Sequence, residues 1–106
     1  MSTFTSQSLS LYNGADGRPV YISVEGQVYD VTSGSSFYGP GGPYQVFGGR
    51  ECSRALALMS VDERECTADL TGLNEAQLKT LMQWKAKFNE KYPVVGVLVV
   101  DRCMDR

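Results

Sequence analysis

The chain has 106 residues, of which 42% are hydrophobic and 21% charged, and its net charge at pH 7 is −2. This length and composition predict a single domain over 1–106 that folds without disulfides, and the weak negative charge disfavours an attraction to nucleic acid. Histidine is absent, which excludes a Ser-His-Asp triad, a Cys-His dyad and a histidine-based zinc site.

The N-terminal part of the chain predicts a short helix. Thr5 is a suitable N-cap for a helix over 6–12, in which we expect Leu9 and Leu11 to turn to the core. The segment NGADGRP that follows, residues 13–19, has the composition of a turn.

A β-hairpin is predicted over 20–32. The segment VYISVEGQVYDVT is rich in β-branched and aromatic residues, and Glu25-Gly26 interrupts it at the position of a tight turn. Because an isolated hairpin is only marginally stable in water, we expect it to pack on another element.

The segment FYGPGGPYQVFGGR, residues 37–50, combines five glycines and two prolines with four aromatic residues. This aromatic content is unusual for a flexible linker, so we interpret the segment as one wall of a site. Nucleotide binding is disfavoured because neither GxxxxGK[ST] nor a strand-GxGxxG-helix pattern occurs. Tyr38 and Tyr44 flank GPGGP, and each is either a core tyrosine with a tethered hydroxyl or a phenolate ligand for a ferric ion.

Two helices are predicted in the second half of the chain. Residues 50–60 are rich in helix formers, and a second helix begins near Asn74, which forms a capping box with Gln77. Its apolar side chains fall in one arc of about 160°. They are Leu78, Leu81, Met82, Trp84, Phe88 and Tyr92. Lys85 lies inside the arc, against the apolar pattern. Either its alkyl chain lies along the rim of the core with the amine in solvent, or its amine lies near a pocket.

Pro93 ends this helix, and the apolar run 93–100 predicts a buried strand, with cover on both faces or a central place in the sheet. Its eight residues are too few to cross a bilayer, which takes about 20, and the N-terminus lacks the features of a secretory signal. We therefore expect no membrane span and a cytoplasmic location.

Residues 101–106 are a polar tail. Together the elements predict an α+β fold, a small sheet with helices grouped against it.

PGGPYQVFGGRECSRAL resembles the heme-binding stretch of the cytochrome b5 fold, but Gly39 stands where cytochromes b5 have a histidine ligand. The stretches YISVEGQVYDVTSGSSFYGPGGPYQVFGGRECSRALA and LMQWKAKFNEKYPVVG are more similar to the membrane-associated progesterone receptor family of cytochrome b5-like heme/steroid-binding domains. The resemblance covers about 5–99, and the KYPVVG ending is most similar to short plant-type members. It implies a cytochrome b5-like fold with a groove for heme or steroid.

Four residues match ligand-binding positions of that family. The resemblance implies that Tyr44 ligates the iron of a ferric heme b from one side only and that Tyr38 lines the site. It also implies that Lys91 and Tyr92 contact the heme edge, Lys91 through a heme propionate. Structural alternatives remain, with Tyr92 as a core side chain and Lys91 as an exposed lysine that complements the helix dipole. No catalytic residue is implied.

The resemblance implies a domain that binds or transfers heme, or that supports heme monooxygenases in sterol metabolism, and that is not an enzyme itself. A heme held from one side leaves its other face bare, so the resemblance also implies a homodimer that stacks these faces. The alternative is a heme-free module that binds a steroid or another apolar ligand, or that docks on a protein. A position peripheral to the endoplasmic reticulum or other endomembranes suits either function.

The remaining side chains of interest have ordinary interpretations. Cys52, Cys66 and Cys103 form no CxxC motif and suit free, small apolar side chains in a reducing compartment. The cysteine that some family members carry after the helix following GGR is replaced, and Ser60 lies near its position. Arg50 opposes the dipole of a predicted helix start, or it tethers an acidic partner.

Overall fold

The computed structural model describes residues 2–99, in which a four-stranded sheet packs against α-helices. The strands are β1 (Ser2–Phe4), β2 (Tyr21–Val24), β3 (Gln27–Asp30) and β4 (Val94–Leu98), in the spatial order β1-β4-β3-β2. The helices are α1 (Ser6–Leu9), α2 (Ser35–Tyr38), α3 (Ser53–Leu58) and α4 (Glu75–Lys91). The predicted α+β class is confirmed. The predicted polar tail, with Cys103, lies outside the described residues.

Strands β2 and β3 form the predicted hairpin. Both residues of its turn have positive φ, 49° for Glu25 and 84° for Gly26, as a type I′ turn requires. Val24 pairs with Gln27 directly across the turn, and the strands run antiparallel. This turn type matches the right-handed twist of the strands, so a local signal in the sequence was sufficient to predict the hairpin.

Strand β4 lies between β1 and β3, which confirms the predicted central place of the apolar run. It pairs in parallel with β1 and antiparallel with β3. The prediction of full burial is wrong, because in β4 only Gly96 is fully buried and the four other residues are half-buried. One face of the sheet is covered only by a small cluster of Phe4, Leu9 and Val28, which leaves the strand partly accessible. Nothing in the sequence predicts the three-residue strand β1.

Helix α1 is shorter than predicted. Thr5 caps it as expected, with its hydroxyl accepting from the backbone N–H of Ser8, but the helix ends at Leu9. Leu9 is buried and Leu11 is 54% exposed, so the prediction that both turn to the core is wrong for Leu11. Residues two apart in a helix do not share a face, and the chain turns away after Ser10.

Helix α4 begins with the predicted capping box between Asn74 and Gln77. Leu81 and Phe88 are buried in the core, whereas Leu78 and Met82 are 38% and 58% exposed, contrary to the predicted arc. The reason is the width of the buried face. At about 100° per residue Leu81 and Phe88 lie about 20° apart around the helix, whereas Leu78 and Met82 lie about 60° and about 100° from Leu81.

The main core fills the space between one face of the sheet and helices α2, α3 and α4. It contains the buried ring of Phe88, which contacts the rings of Tyr29 and Tyr38 edge to face. Helix α3 lies within the predicted range 50–60.

Lys85 reaches out from the rim of α4 to Glu25 on the hairpin turn, with Nζ 3.5 Å from the carboxylate. Over residues 2–99 no helix combines the length and the apolar character that a membrane crossing requires.

Candidate ligand-binding site

The glycine-rich segment has a defined shape. It begins with α2, and a 3-10 turn, Gln45–Phe47, follows Tyr44. The backbone N–H of Tyr44 donates to the carbonyl of Phe37 at 2.8 Å, and that of Gly42 donates to Gly39 at 3.0 Å. These bonds close the loop between Tyr38 and Tyr44, which supports the interpretation of the segment as a wall rather than a flexible linker.

Position 39 has no room for a side chain. A Cβ atom added to Gly39 would lie 2.7 Å from the carbonyl oxygen of Ser35, which already accepts a hydrogen bond from the N–H of Gly39. This is the position that the sequence comparison with cytochrome b5 assigns to a histidine ligand. In this chain the close approach of the backbone excludes such a ligand, so an iron would need a different donor.

The structure brings together the three predicted tyrosines. The ring centroid of Tyr38 lies 5.9 Å from that of Tyr44 and 6.5 Å from that of Tyr92, although Tyr92 is far away along the chain. Phe88 lies beneath them, 6.0 Å from Tyr38 and 5.5 Å from Tyr92. Tyr38 and Tyr92 are each 7% exposed, and Tyr44 is 36% exposed. We call Tyr38, Tyr44 and Tyr92 the tyrosine cluster.

The hydroxyls of the tyrosine cluster have no protein partners. Within residues 2–99 none of the three makes a hydrogen bond to another protein group, whereas the buried Tyr29 donates to Gln27 and Asn89 at 2.9 and 2.8 Å. No fully buried side-chain oxygen or nitrogen in this part of the chain lacks a partner, so the three phenol oxygens reach the surface. Tyrosines with a purely structural role normally tether their hydroxyls, as Tyr29 does.

Burial changes the acidity of Tyr38. It raises the pKa of this phenol to about 12, and the neighbouring phenols of Tyr92 and Tyr44 add to the shift. The Tyr38 phenolate is therefore costly to form.

Lys91 is the last residue of α4 and is exposed. Its Nζ lies 5.7 Å from the ring centroid of Tyr92, so the ammonium group stands at the margin of the tyrosine cluster. The position satisfies both interpretations from the sequence, since a cation there complements the helix dipole and can also pair with a ligand carboxylate.

The donor set suits a flat ligand that takes one oxygen donor from the protein. Tyr44 presents an accessible phenol, and its ring is parallel to that of Phe47, with 5.8 Å between the centroids and an angle of 2°. Phe47 and Phe88 were not predicted as site residues, although Phe47 belongs to the aromatic pattern of the glycine-rich segment. Across 2–99 no group of three or more histidine, cysteine, aspartate or glutamate side chains could hold a metal ion.

A separate cavity of about 740 Å³ lies between α1, the end of β4 and the loop at 66–68. None of the four predicted site residues lines it, and the sequence contained no signal for it. Arg50 lies on the wall of this cavity and forms an ion pair with Glu63, with 3.7 Å between the guanidinium nitrogen and the carboxylate oxygen. The structure thus shows Arg50 beside an acidic group. Cys52 is buried and Cys66 half-buried, and neither forms a disulfide.

Comparison with known proteins gives a consistent result. Residues 5–99 match the model of the cytochrome b5-like heme/steroid binding domain. The chain is 50% identical over 97 residues to probable steroid-binding protein 3 from Arabidopsis thaliana, spanning 91% of this chain and 97% of that protein. A solved structure from Arabidopsis thaliana, described as a hypothetical protein with a cytochrome b5 like fold, has a TM-score of 0.84 and 48% identity over 93% of this chain and 92% of that one.

A more distant relative is a longer protein. The chain is 42% identical over 99 residues to membrane-associated progesterone receptor component 2 from Rattus norvegicus, covering 91% of this chain but only 46% of that protein. The names of these relatives refer to steroid binding, membrane association or a receptor, and none is the name of an enzyme.

Proposed function

Because the chain belongs to the cytochrome b5-like heme/steroid binding family and is homologous to membrane steroid-binding proteins and progesterone receptor components, we propose that it is a heme-binding domain. In this proposal Tyr44 ligates ferric heme b from one side. Tyr38 lines the site, and Lys91 and Tyr92 contact the edge of the heme.

The observation that carries the proposal is the set of untethered phenols. The ring of Tyr38 lies 5.9 Å from that of Tyr44 and 6.5 Å from that of Tyr92, which is distant along the chain, and none of the three hydroxyls has a protein partner within residues 2–99. Each of these oxygens reaches the surface, where water or a ligand can satisfy it. The cluster therefore offers a ligand three accessible phenol oxygens, which tethered core tyrosines would not.

Tyr44 is the best candidate for the ligand among the three. It is the most exposed, and the elevated pKa of Tyr38 makes the Tyr38 phenolate costly to form. A ferric ion favours the ionised phenol, so heme binding itself would promote ionisation of Tyr44. Heme b supplies an iron centre whose ferric state an anionic oxygen ligand stabilises, which predicts a low reduction potential.

The surroundings of Tyr44 fit the rest of the heme. The exposed rings of Tyr44 and Phe37 offer apolar contact to a porphyrin, and the buried rings of Phe47 and Phe88 support the tyrosine cluster from the core. Lys91 provides a cation for a propionate. Tyr44, which is 36% exposed, and Phe37, which is 51% exposed, leave an apolar surface on which two heme-loaded copies would stack.

In the cell, the proposed domain binds or transfers heme, or supports heme monooxygenases in sterol metabolism. Regulation of such partners needs no catalytic residue in this chain. The names of the relatives point to membranes, and we place the protein at the surface of the endoplasmic reticulum or another endomembrane.

A hemin titration followed by absorbance tests the proposal. We expect a saturable Soret band with a high-spin ferric spectrum for the wild-type chain, and its loss in Tyr44→Phe. The matched control is Tyr12→Phe, which removes a phenol hydroxyl from the ring that stacks on Tyr21 at 4.6 Å, outside the tyrosine cluster. Equal spectra for Tyr44→Phe and Tyr12→Phe would show that Tyr44 is not the ligand, and no saturation at micromolar hemin would refute heme binding.

A second candidate function is heme-free binding of a steroid on the same aromatic surface, or docking of a protein there. The exposed rings of Tyr44 and Phe37 favour it, because a flat apolar ligand needs no metal to stack on them. The hemin titration separates the two functions, since only the first gives a Soret spectrum that depends on the Tyr44 hydroxyl.

A further inference from the structure

Cys52 and Cys66 form a pair of thiols that the proposed heme site does not use. Cys52 immediately precedes α3 and is completely buried in the main core, and Cys66 follows the 3-10 turn Glu63–Glu65 and packs against the same core. Their sulfurs lie against consecutive carbonyls of one turn. The Cys52 sulfur is 3.5 Å from the Phe47 oxygen, and the Cys66 sulfur is 4.0 Å from the Val46 oxygen. The fold therefore brings together two thiols that are well separated in the sequence.

The segment that carries Cys66 is attached to the start of α3 on either side of the cysteine. The N–H of Arg54 donates to the carbonyl of Thr67 at 3.0 Å, and the Arg54 guanidinium donates to Glu65 at 3.0 Å. Cys66 lies between these two attachment points, and Cys52 lies two residues before Arg54. These bonds hold the two thiols beside each other in the folded chain.

The two thiols differ in acidity and in access. A hydrogen bond with the Cys52 thiol lowers the pKa of the Cys66 thiol, burial opposes this shift, and the positive charge of Arg50 adds to it. Burial raises the pKa of the Cys52 thiol well above its usual range. Cys66 also lines the cavity of about 740 Å³ beside α1, which Cys52 does not line. A small solute that enters this cavity therefore meets Cys66, the thiol that ionises more readily.

We propose that Cys66 is a site of oxidation by hydrogen peroxide or another small hydroperoxide and that Cys52 is its resolving thiol. The product is a reversible disulfide within one chain. The thiol pair is distinct from the tyrosine cluster, and its chemistry does not depend on heme binding at Tyr44.

The oxidation has two steps. In the first, the Cys66 thiolate attacks one peroxide oxygen, so that an S–O bond forms, the O–O bond breaks, and hydroxide or an alkoxide leaves. In the second, the Cys52 sulfur attacks the sulfur of the Cys66 sulfenic acid. An S–S bond forms, the S–O bond breaks, and the leaving oxygen takes the Cys52 proton and departs as water. The two sulfurs lose two electrons in total, and the peroxide gains them. A thiol reductant reverses the reaction by thiol–disulfide exchange.

The second step requires the two sulfurs to approach to about 2.0 Å. The chain between α3 and α4, residues 59–74, is irregular apart from the 3-10 turn Glu63–Glu65. Cys66 can therefore move toward Cys52 while both helices stay in place.

Peptide mapping of the full chain after peroxide treatment tests the proposal. The chain is first reduced, no hemin is added, and remaining free thiols are blocked with N-ethylmaleimide. Trypsin, which cleaves after lysine and arginine, places Cys52 in peptide 51–54, Cys66 in 65–79 and Cys103 in 103–106. We expect a disulfide between 51–54 and 65–79 as the main oxidised product, and its disappearance on treatment with dithiothreitol.

Two variants assign the roles of the thiols. In Cys52→Ala the Cys66 sulfenic acid has no resolving thiol, so dimedone should label peptide 65–79 about fivefold or more above the wild-type level. In Cys66→Ala the buried Cys52 should be oxidised about tenfold or more slowly than the pair is in the wild type. Cys103→Ala is the matched control and should form the disulfide as the wild type does. Cys52→Ser replaces Cys52→Ala if the latter does not fold, as judged by circular dichroism.

Three outcomes would overturn the inference. The first is that peroxide links no 51–54 to 65–79 in the wild type, or links 103–106 to either peptide in similar yield, as random oxidation of thiols would. The second is equal dimedone labelling of the wild type and Cys52→Ala, and the third is undiminished oxidation of Cys52 in Cys66→Ala. Tyr44→Phe should form the disulfide as the wild type does, so failure of the heme proposal leaves this result unchanged.

Discussion

The rings of Tyr38 and Tyr44 lie 5.9 Å apart, yet Tyr38 is 7% exposed and Tyr44 36% exposed. The loop GPGGP between them is closed by the hydrogen bond from the Tyr44 N–H to Phe37, so the two phenols keep this relation. One phenol is held neutral by burial, and the other is available at the surface. This difference in environment underlies the separate roles that we propose for them.

Alkaline titration should reveal the burial of Tyr38. Because its pKa is raised to about 12 from the ordinary value of 10, the folded state holds the phenolic proton more tightly than the unfolded state does. The free energy of unfolding should therefore fall as the pH rises from about 10 through about 12. Tyr38→Phe should make this fall less steep in urea unfolding series at several pH values. Part of the fall should persist, because burial also raises the pKa values of Tyr21 and Tyr29. An unchanged slope in Tyr38→Phe would contradict the prediction.

Gly39→His should not restore a histidine ligand. The Cβ atom would lie 2.7 Å from the Ser35 carbonyl oxygen, so the loop has to shift before any ring can be placed. We expect Gly39→Ala alone to lower the free energy of unfolding by about 1–3 kcal/mol, and Gly39→His to give no low-spin heme spectrum. Ser36→Ala, at an exposed neighbouring position, is the control and should be close to wild type. A stable Gly39→His chain with a low-spin spectrum would show that the loop is more adaptable than its geometry indicates.

Glu51→Ala should destabilise the fold more than most substitutions of a single polar side chain do. It leaves the Ser23 hydroxyl and the N–H groups of Gly26 and Ser53 without their acceptor. We expect a loss of about 2–4 kcal/mol in the free energy of unfolding. Glu63→Ala removes a carboxylate that is 68% exposed and should change it by less than about 0.5 kcal/mol. Similar values for the two variants in urea unfolding would mean that the network around Glu51 contributes little.

The buried and the exposed face of α4 should respond differently when a side chain is shortened to alanine. Phe88→Ala removes a fully buried ring beneath Tyr38 and Tyr92 and should cost about 3–5 kcal/mol, with weaker hemin binding as a second consequence. Met82→Ala, at a side chain that is 58% exposed, should change stability by less than about 0.5 kcal/mol and leave hemin binding intact. A large loss of stability in Met82→Ala would show that this side chain is buried in an interface and not exposed to solvent.

Short sequence motifs were sufficient to predict the elements that depend on only a few neighbouring residues. The turn at Glu25-Gly26, the capping box at Asn74 and the stop at Pro93 each depend on a few neighbouring residues, and the structure has the hairpin and both ends of α4 where these signals indicate. Strand β1 has no such signal, because three residues acquire their conformation only by pairing with β4.

Some features of the candidate site could likewise be predicted from the sequence, whereas others depend on tertiary packing. The absence of histidine excluded cytochrome b5-type ligation, and the resemblance of the glycine-rich segment to the family implied Tyr44 as the candidate ligand. Tertiary structure brings Tyr92 to Tyr38, leaves Leu78 and Met82 exposed, and forms the cavity at Arg50. Distances between side chains that are far apart in sequence depend on how whole elements pack. The width of the face that α4 buries likewise depends on the elements packed against it, which no local pattern contains.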